Sequence, residues 1–234
     1  MISLTSVAMT TSPASFADHE LVERITANLA SVRARIASHA PEPERVRVVA
    51  VTKTFGADMV AAAYGAGLRA VGENYLDELV TKRAATPNLD LAWYFMGALQ
   101  TNKIARVLKV ADLLCGVSRL KELDKIAVLR PGMALYIQVD CTGAPQRNGA
   151  PPSDVAGLVQ RGRERGLDVR GLMTVAPAAV DAAREAFHIT TQLADELGLV
   201  ERSMGMSDDL ELACEYGTTE VRVGRALFGP RATL

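Results

Sequence analysis

VRVVAVTK, residues 46–53, is the stretch from which the fold follows. Its β-branched and apolar residues predict a strand over Val46–Val51, and Lys53 comes directly after that strand. A helical stretch follows around Asp58–Ala66. A strand that leads at once into a helix is the repeating unit of parallel α/β folds, so we expect the rest of the chain to repeat it.

The same alternation continues to the last predicted strand, which gives eight strands in all. The further strands are Arg69–Val71, Leu91–Phe95, Asp112–Cys115, Ala134–Val139, Val169–Leu172, Glu201–Met204 and Glu220–Val223. The further helices are Tyr75–Arg83, Thr101–Val110, Ser118–Leu129, Ser153–Arg165, Asp181–Leu197 and Asp208–Glu215.

This pattern, without a linker or a change of composition, predicts an α/β fold: a single closed (β/α)8 barrel of the TIM type. A doubly wound open sheet is the alternative. An additional N-terminal helix is predicted over Phe16–His39, where apolar residues recur at steps of three and four. We expect it to take the place of the outer helix for which the chain leaves little room after its last strand. Residues 1–15 are expected to be a disordered tail, and residues 16–234 the barrel domain.

The composition argues against large polyanionic partners. The chain has 26 basic and 27 acidic residues interspersed along its length, a formal net charge of −1. No basic patch for nucleic acid or an anionic membrane is visible, and no apolar run approaches the ~20 residues that cross a bilayer. The three cysteines lie far apart, without metal-ligand spacing, which is typical of free thiols in a reducing compartment. We expect a cytoplasmic protein that binds a small molecule and no metal.

Several residues with useful chemistry follow the predicted strands. In a parallel barrel the carboxyl ends of the strands meet at one mouth, where active sites lie. A shared rim is therefore expected for Lys53, Asn74, Gly97, Met173, Ser207 and Gly224. Taken alone, Lys53 is more simply explained as a strand-end lysine that extends to solvent.

Ser207 and Gly224 have the character of an anion site. Ser207 precedes Asp208 and Asp209, as the N-cap of a helix does, and a helix start offers free N–H groups to a phosphate. Gly224 would let a phosphate approach the backbone closely. Arg222, in the last strand, either points into the barrel, where it needs a partner, or lies on the outer face toward the helices.

Pyridoxal 5′-phosphate (PLP) is a cofactor that uses all of these groups. Its aldehyde condenses with an amine, its phosphate accepts hydrogen bonds, and its pyridine nitrogen needs a partner. Lys53, the region of Ser207 and Gly224, and Arg222 would supply the three. An arginine donates to the ring nitrogen and keeps it unprotonated, which makes the ring a weaker electron sink and suits holding the cofactor.

At these residues the sequence resembles the pyridoxal phosphate homeostasis proteins, which are similar in fold to the barrel domain of alanine racemase. The resemblance covers nearly the whole chain. It is carried, in order, by VVAVTK (48–53), GENY (72–75), WYFMG (93–97) with LQTNK (99–103), GLM (171–173), MGMSDD (204–209) and VRVG (221–224), which leads to Phe228-Gly229.

The resemblance assigns roles to six residues. It implies a Schiff base at Lys53, a phosphate site at Ser207 and the backbone of Gly224 and Arg225, a ring-nitrogen partner at Arg222, and Asn74 lining the cofactor. Met204 and Met206 are more simply explained as core filling.

The chain also departs from the family pattern. Tyr94 and Ala98 stand where histidines are common, in positions not expected to touch the cofactor. The loop Cys141–Gly149 lacks the usual glutamate and has Arg147 where a lysine is usual. Arg225 replaces a residue that is often small, yet a backbone contact to phosphate would survive that change.

The function implied by the resemblance is intracellular PLP homeostasis: storage, delivery or buffering, without dedicated catalytic residues, and with PLP-dependent apoenzymes as partners. The alternative is an amino-acid racemase of the alanine racemase type, which takes its second acid/base from a tyrosine of a following domain; with the chain ending at Leu234, we expect no such domain. A third possibility is a metabolic enzyme with an unlinked phosphate ligand, with Lys53 as base and Arg222 as anion clamp. We expect a monomer without nucleic-acid or membrane partners.

Overall fold

The computed structural model describes residues 18–144 and 147–230. The predicted disordered tail lies outside the described residues. The strands are β1 Arg47–Val51, β2 Ala70–Glu73, β3 Ala92–Phe95, β4 Leu113–Val117, β5 Ala134–Val139, β6 Asp168–Thr174, β7 Glu201–Ser203 and β8 Glu220–Val223. Each pairs in parallel with the next, and β8 returns to pair with β1. The predicted closed barrel is therefore confirmed, and the alternative of an open sheet is wrong.

The helices cover the outside of the barrel. They are α1 His19–His39, α2 Ala57–Gly65, α3 Leu76–Ala85, α4 Ile104–Val107, α5 Leu120–Leu129, α6 Pro152–Glu164, α7 Val180–Glu196, α8 Leu210–Glu215 and α9 Arg225–Phe228, with a 3-10 turn at Pro43–Arg45. None of the helices among the described residues is long and apolar enough to cross a bilayer.

The additional N-terminal helix closes the outer ring. Asp18 caps it, because its carboxylate accepts the N–H of Glu20 at 3.0 Å, and so α1 begins at His19. Its buried residues recur at steps of three and four, and the helix packs against α2, α8 and α9. It therefore occupies the place beside β8 and β1 that an eighth outer helix would fill, as predicted.

Two predictions of local structure need correction. The helix predicted over Thr101–Val110 shrinks to the single turn α4, because its backbone bonds alternate between four-residue and three-residue steps, as in Leu108 to Ile104 and Lys109 to Arg106. After β8, the four-residue helix α9 begins directly beyond Gly224 and was not predicted.

The barrel has an apolar cluster inside and a larger one between strands and helices. Alternate residues of β1 divide between them: Val49 belongs to the interior cluster, while Val48 and Ala50 pack outward. Val51 and Lys53 continue the inward series toward the carboxyl end of the strand, where both line a cavity. This alternation places Lys53 at the barrel mouth.

Candidate functional site

A cavity of about 620 Å³ opens at the carboxyl ends of the strands. All six residues to which the resemblance assigns roles line it: Lys53, Asn74, Ser207, Arg222, Gly224 and Arg225. Of the other two residues expected at the rim, Met173 lines the cavity and Gly97 is not among its lining residues. Phe55, Met96, Met173 and Val175 contribute apolar wall between these polar groups. The volume lies in the range of about 300–1,000 Å³ typical of small-molecule sites, and so does the mixture of apolar wall and few polar groups.

Lys53 lies in a tight turn between β1 and α2. The N–H of Thr52 donates to the carbonyl of Gly72 at 3.1 Å, and the N–H of Phe55 donates back to the carbonyl of Thr52 at 3.0 Å. Thr54 has a φ of 69°, the one positive φ of a non-glycine residue among those described. A β-branched residue is rarely found in this conformation, so the turn that presents Lys53 needs support from its surroundings.

That support comes from a cluster of three ionisable side chains behind the turn, two of them buried and one partly exposed, which the sequence did not predict. The Nζ of Lys82 donates to the carbonyl of Thr52, to Oε1 of Glu73 and to Oε2 of Glu78, each at 2.7 Å. Burial raises the pKa of Glu73. Burial also acts on Glu78, but the hydrogen bonds from Lys82 and the Thr54 backbone outweigh it and lower the pKa of Glu78. The available sequence signal was a lysine on the buried face of α3, in step with Leu76 and Leu79.

Arg222 points into the barrel, so the alternative of an outward arginine is wrong. It is 5% exposed, and its guanidinium donates to the carbonyls of Ser203 and Thr174 at 2.5 and 2.7 Å and to the hydroxyl of Ser203 at 2.9 Å. Burial lowers its pKa. These bonds hold the guanidinium in one orientation at the cavity wall.

The buried carboxylate of Glu220 is linked to the guanidinium of Arg222 through the hydroxyl of Ser203. Glu220 accepts the hydroxyl of Ser203 at 2.7 Å, and the same hydroxyl oxygen accepts from Arg222. Burial raises the pKa of Glu220. Deeper in the barrel, Tyr136 lies 3.2 Å from Glu220 and 2.5 Å from Glu201. Arg222 therefore lies at the cavity end of a chain of hydrogen-bonded polar side chains inside an otherwise apolar barrel.

Ser207 does not cap the helix that follows it, contrary to the prediction. α8 begins at Leu210 after Asp209, whose carboxylate turns back to accept the N–H of Met206 at 2.6 Å. The hydroxyl of Ser207 instead accepts the N–H of Ala226 at 3.1 Å, which joins the loops after β7 and β8. Ser207 therefore lies beside the start of α9.

The outer layer braces this pair of loops. Arg35 on α1 donates to the carbonyl of Ser207 at 2.9 Å and pairs with Glu211. Arg225 pairs with Asp208. Gly224 runs close to β1: a Cβ there would lie 3.1 Å from the carbonyl oxygen of Val51, tighter than most real contacts. The glycine thus permits a close approach of backbone at the cavity rim.

The remaining sequence expectations divide between core and rim. Asn74 lines the cavity, and Gly97 packs so tightly against it that a Cβ would lie 2.1 Å from the Asn74 carbonyl oxygen. Met204 is fully buried core, as predicted, but Met206 lines the cavity and is not core filling.

Of the positions that depart from the family pattern, Arg225 lines this cavity, whereas Tyr94, Ala98 and Arg147 are not among its lining residues. Tyr94 is packed inside the barrel. Ala98 and Arg147 line a second cavity of about 190 Å³. Arg147 also donates to the carbonyl of Val175, at the edge of the larger cavity.

Known proteins place this chain in a family. The model of the alanine racemase N-terminal domain matches residues 22–232. The pyridoxal phosphate homeostasis protein of Pseudomonas aeruginosa is 39% identical over 220 residues, which cover 88% of this chain and 96% of that protein. The human protein of the same name is 35% identical over 211 residues, 79% of this chain and 76% of its own.

Solved structures agree. PipY of Synechococcus elongatus, in a structure with PLP bound, superimposes with a TM-score of 0.75 at 30% identity and covers 88% of this chain and 100% of its own. Alanine racemase of Bartonella henselae, at 16% identity and a TM-score of 0.70, covers 91% of this chain and 61% of its own, and shares the fold alone. The chain belongs to the alanine racemase N-terminal domain family and, within it, to the pyridoxal phosphate homeostasis proteins.

Proposed function

We propose that this chain binds PLP as a Schiff base on Lys53 and serves PLP homeostasis by storing, delivering or buffering the cofactor. The observation that carries the proposal is the convergence of Lys53, Arg222, Ser207 and Gly224 on one cavity. The names of the relatives and the PLP-bound PipY structure support it.

The groups around the cavity fit this cofactor. Bound PLP supplies an aldehyde that condenses with an amine and a pyridine ring that withdraws electrons. Lys53 would hold the cofactor covalently, because its amine can condense with the aldehyde with loss of one water. The hydroxyl of Ser207 and the backbone of Gly224 and Arg225 would receive the phosphate.

Arg222 would meet the ring nitrogen. A guanidinium has only donors and keeps its charge in proteins, so it leaves the nitrogen unprotonated. The three bonds to Ser203 and Thr174 hold it in that role. A ring with an unprotonated nitrogen withdraws electrons less strongly, which favours retention of the cofactor over turnover of amino acids.

Racemisation needs an acid/base on each face of the ring. The five tyrosines all lie among the described residues, and none of them lines the cavity. We therefore expect no interconversion when the PLP-loaded protein is incubated with L-alanine or D-alanine and the products are separated on a chiral column. Sustained interconversion above that of free PLP would contradict the homeostasis proposal in favour of the racemase.

Ser207→Ala is expected to weaken PLP binding on the order of tenfold, the effect of one hydrogen bond to a charged group, and to leave pyridoxal binding nearly unchanged. Pyridoxal lacks the phosphate, so titration of both ligands isolates that end of the cavity. Ser153→Ala, an exposed serine on α6, is the matched control. Equal losses for both ligands would argue against a phosphate at Ser207.

The wider role forms part of the same proposal: a cytoplasmic monomer that hands PLP to PLP-dependent apoenzymes and has neither nucleic-acid nor membrane partners. Transfer is tested by mixing the loaded protein with an inactive PLP-dependent apoenzyme and following recovery of its activity. Faster recovery than with an equal amount of free PLP is expected for direct delivery. Sedimentation of the loaded protein tests the monomer.

A further inference from the structure

The charged cluster behind the Lys53 turn consists of Glu73, Glu78 and Lys82 and is unusual for its position. The side chain of Lys82 is 5% exposed and that of Glu73 is fully buried. A lysine ammonium has three donors, and all three are used, on Thr52, Glu73 and Glu78. Leu76 and Leu79, the other buried residues of α3, are apolar, so packing alone does not require a lysine here.

The cluster contacts the chain on both sides of Lys53. Before Lys53, the carbonyl oxygen of Thr52 accepts a hydrogen bond from Lys82, and the hydroxyl of Thr52 donates to Oε1 of Glu73 at 2.6 Å. After it, the N–H of Thr54 donates to Oε2 of Glu78 at 2.8 Å. The residue that would carry the cofactor is thus held between two clamped neighbours.

The hydrogen bond from Thr54 to Glu78 lies where the backbone conformation of the turn is least favourable. Thr54 has the left-handed φ of 69°, a conformation that costs free energy and persists only where surrounding contacts impose it. The bond to Glu78 is such a contact. Without it, the turn is expected to relax toward ordinary φ values, and the direction in which Lys53 leaves the backbone changes with it.

The cluster is also poorly arranged for stability alone. Oε2 of Glu73 is buried and has no hydrogen-bond partner among the residues that the structure describes. Buried ion pairs contribute little net stability compared with apolar packing, and an unsatisfied buried oxygen is a cost. A role in fixing the geometry of the turn explains this buried ion pair and its unsatisfied oxygen, whereas a purely stabilising role does not.

We propose that Glu78 and Lys82 are positioning residues that hold the Lys53 turn in the conformation that presents its amine to the cavity. The inference rests on the proposed function, since it assigns a purpose to that amine. It differs from the phosphate contacts at Ser207, because the cluster acts on the amine end of the cavity only.

The test compares two carboxylates in the first turn of the same helix. Glu78→Ala removes the carboxylate that accepts the Thr54 N–H, and the side chain of Glu78 is 29% exposed. Asp77→Ala removes a neighbouring carboxylate that is 87% exposed and pairs with Arg106. Both changes remove one negative charge from the start of α3. Each full-length variant is titrated with PLP and with pyridoxal, and the visible absorption band and the borohydride-fixed label on Lys53 are measured.

Glu78→Ala is expected to lower affinity for PLP and for pyridoxal alike, on the order of tenfold, with their ratio unchanged, whereas Asp77→Ala matches the wild type. Glu78→Gln, which keeps an oxygen for the Thr54 N–H, is expected to recover part of the loss. It also replaces the alanine variant if circular dichroism shows that the latter is unfolded.

Wild-type affinity in Glu78→Ala, an equal loss in Asp77→Ala, or a loss confined to PLP would each overturn the positioning role while leaving PLP binding intact. Absence of the visible band in the wild type would instead overturn the proposed function, and the inference with it.

Discussion

Lys53→Ala is expected to abolish the visible absorption band that the wild type develops with PLP, and borohydride treatment is expected to leave no label on the protein. The physical reason is that this amine is the group proposed to form the covalent bond, and among the described residues no other lysine lines the cavity. Lys82, on α3, has its three donors engaged in the charged cluster. Absorbance spectra and peptide mapping after borohydride reduction measure both effects.

Lys121→Ala, an exposed lysine on α5, is the matched control and should retain the full band and the label. A band of wild-type intensity in Lys53→Ala, or a label mapped to another peptide, would remove the basis of the proposed function. Phosphate contacts alone are expected to leave weak, noncovalent binding in the Lys53 variant, without the absorption band of the C=N linkage.

Lys82→Met is expected to lower the free energy of unfolding by about 3–5 kcal/mol, the usual cost of removing one partner from a buried ion pair. Methionine replaces the volume of the side chain but leaves the carboxylates of Glu73 and Glu78 without their cation, and the first is fully buried. Urea unfolding followed by circular dichroism measures the change.

Arg106→Met is the control for this prediction. It removes a cation from an ion pair with Asp77 that is largely exposed, and such pairs are worth less than about 1 kcal/mol. Adding Glu73→Gln to Lys82→Met should recover part of the loss, because the uncompensated buried charge is then gone. A loss below about 1 kcal/mol in Lys82→Met would mean that the buried pair is not coupled to folding.

The two variants separate two properties of this part of the barrel: covalent binding of the cofactor and stability of the fold. Lys53→Ala is expected to remove the covalent link without a large loss of stability, since Lys53 lies on the wall of a cavity. Lys82→Met is expected to lower stability first.

The strand and helix order was determined by the sequence alone. Short apolar runs such as Val46–Val51 are typical of strands buried between layers, and their alternation with amphipathic helices predicts a parallel α/β fold, either a closed barrel or an open sheet. The same periodicity placed Lys53, Asn74, Ser207 and Gly224 after strands, and parallel strands bring those ends to one mouth. Local pattern therefore predicted the alternation of strands and helices and a shared edge for these residues, whereas the pairing of β8 with β1 decided that the sheet closes.

Tertiary structure decided what depends on contacts between distant segments. The direction of Arg222 followed from the inward register of β8, which a strand pattern does not reveal for an arginine. The hydroxyl of Ser207 accepts the N–H of Ala226, nineteen residues away, instead of capping the helix that follows Ser207. The cluster of Glu73, Glu78 and Lys82 joins a strand end and a helix face only once β2 and α3 are packed. Such pairings have no local periodicity, because their energy arises from burial and charge neutralisation between elements, and both exist only in the folded chain.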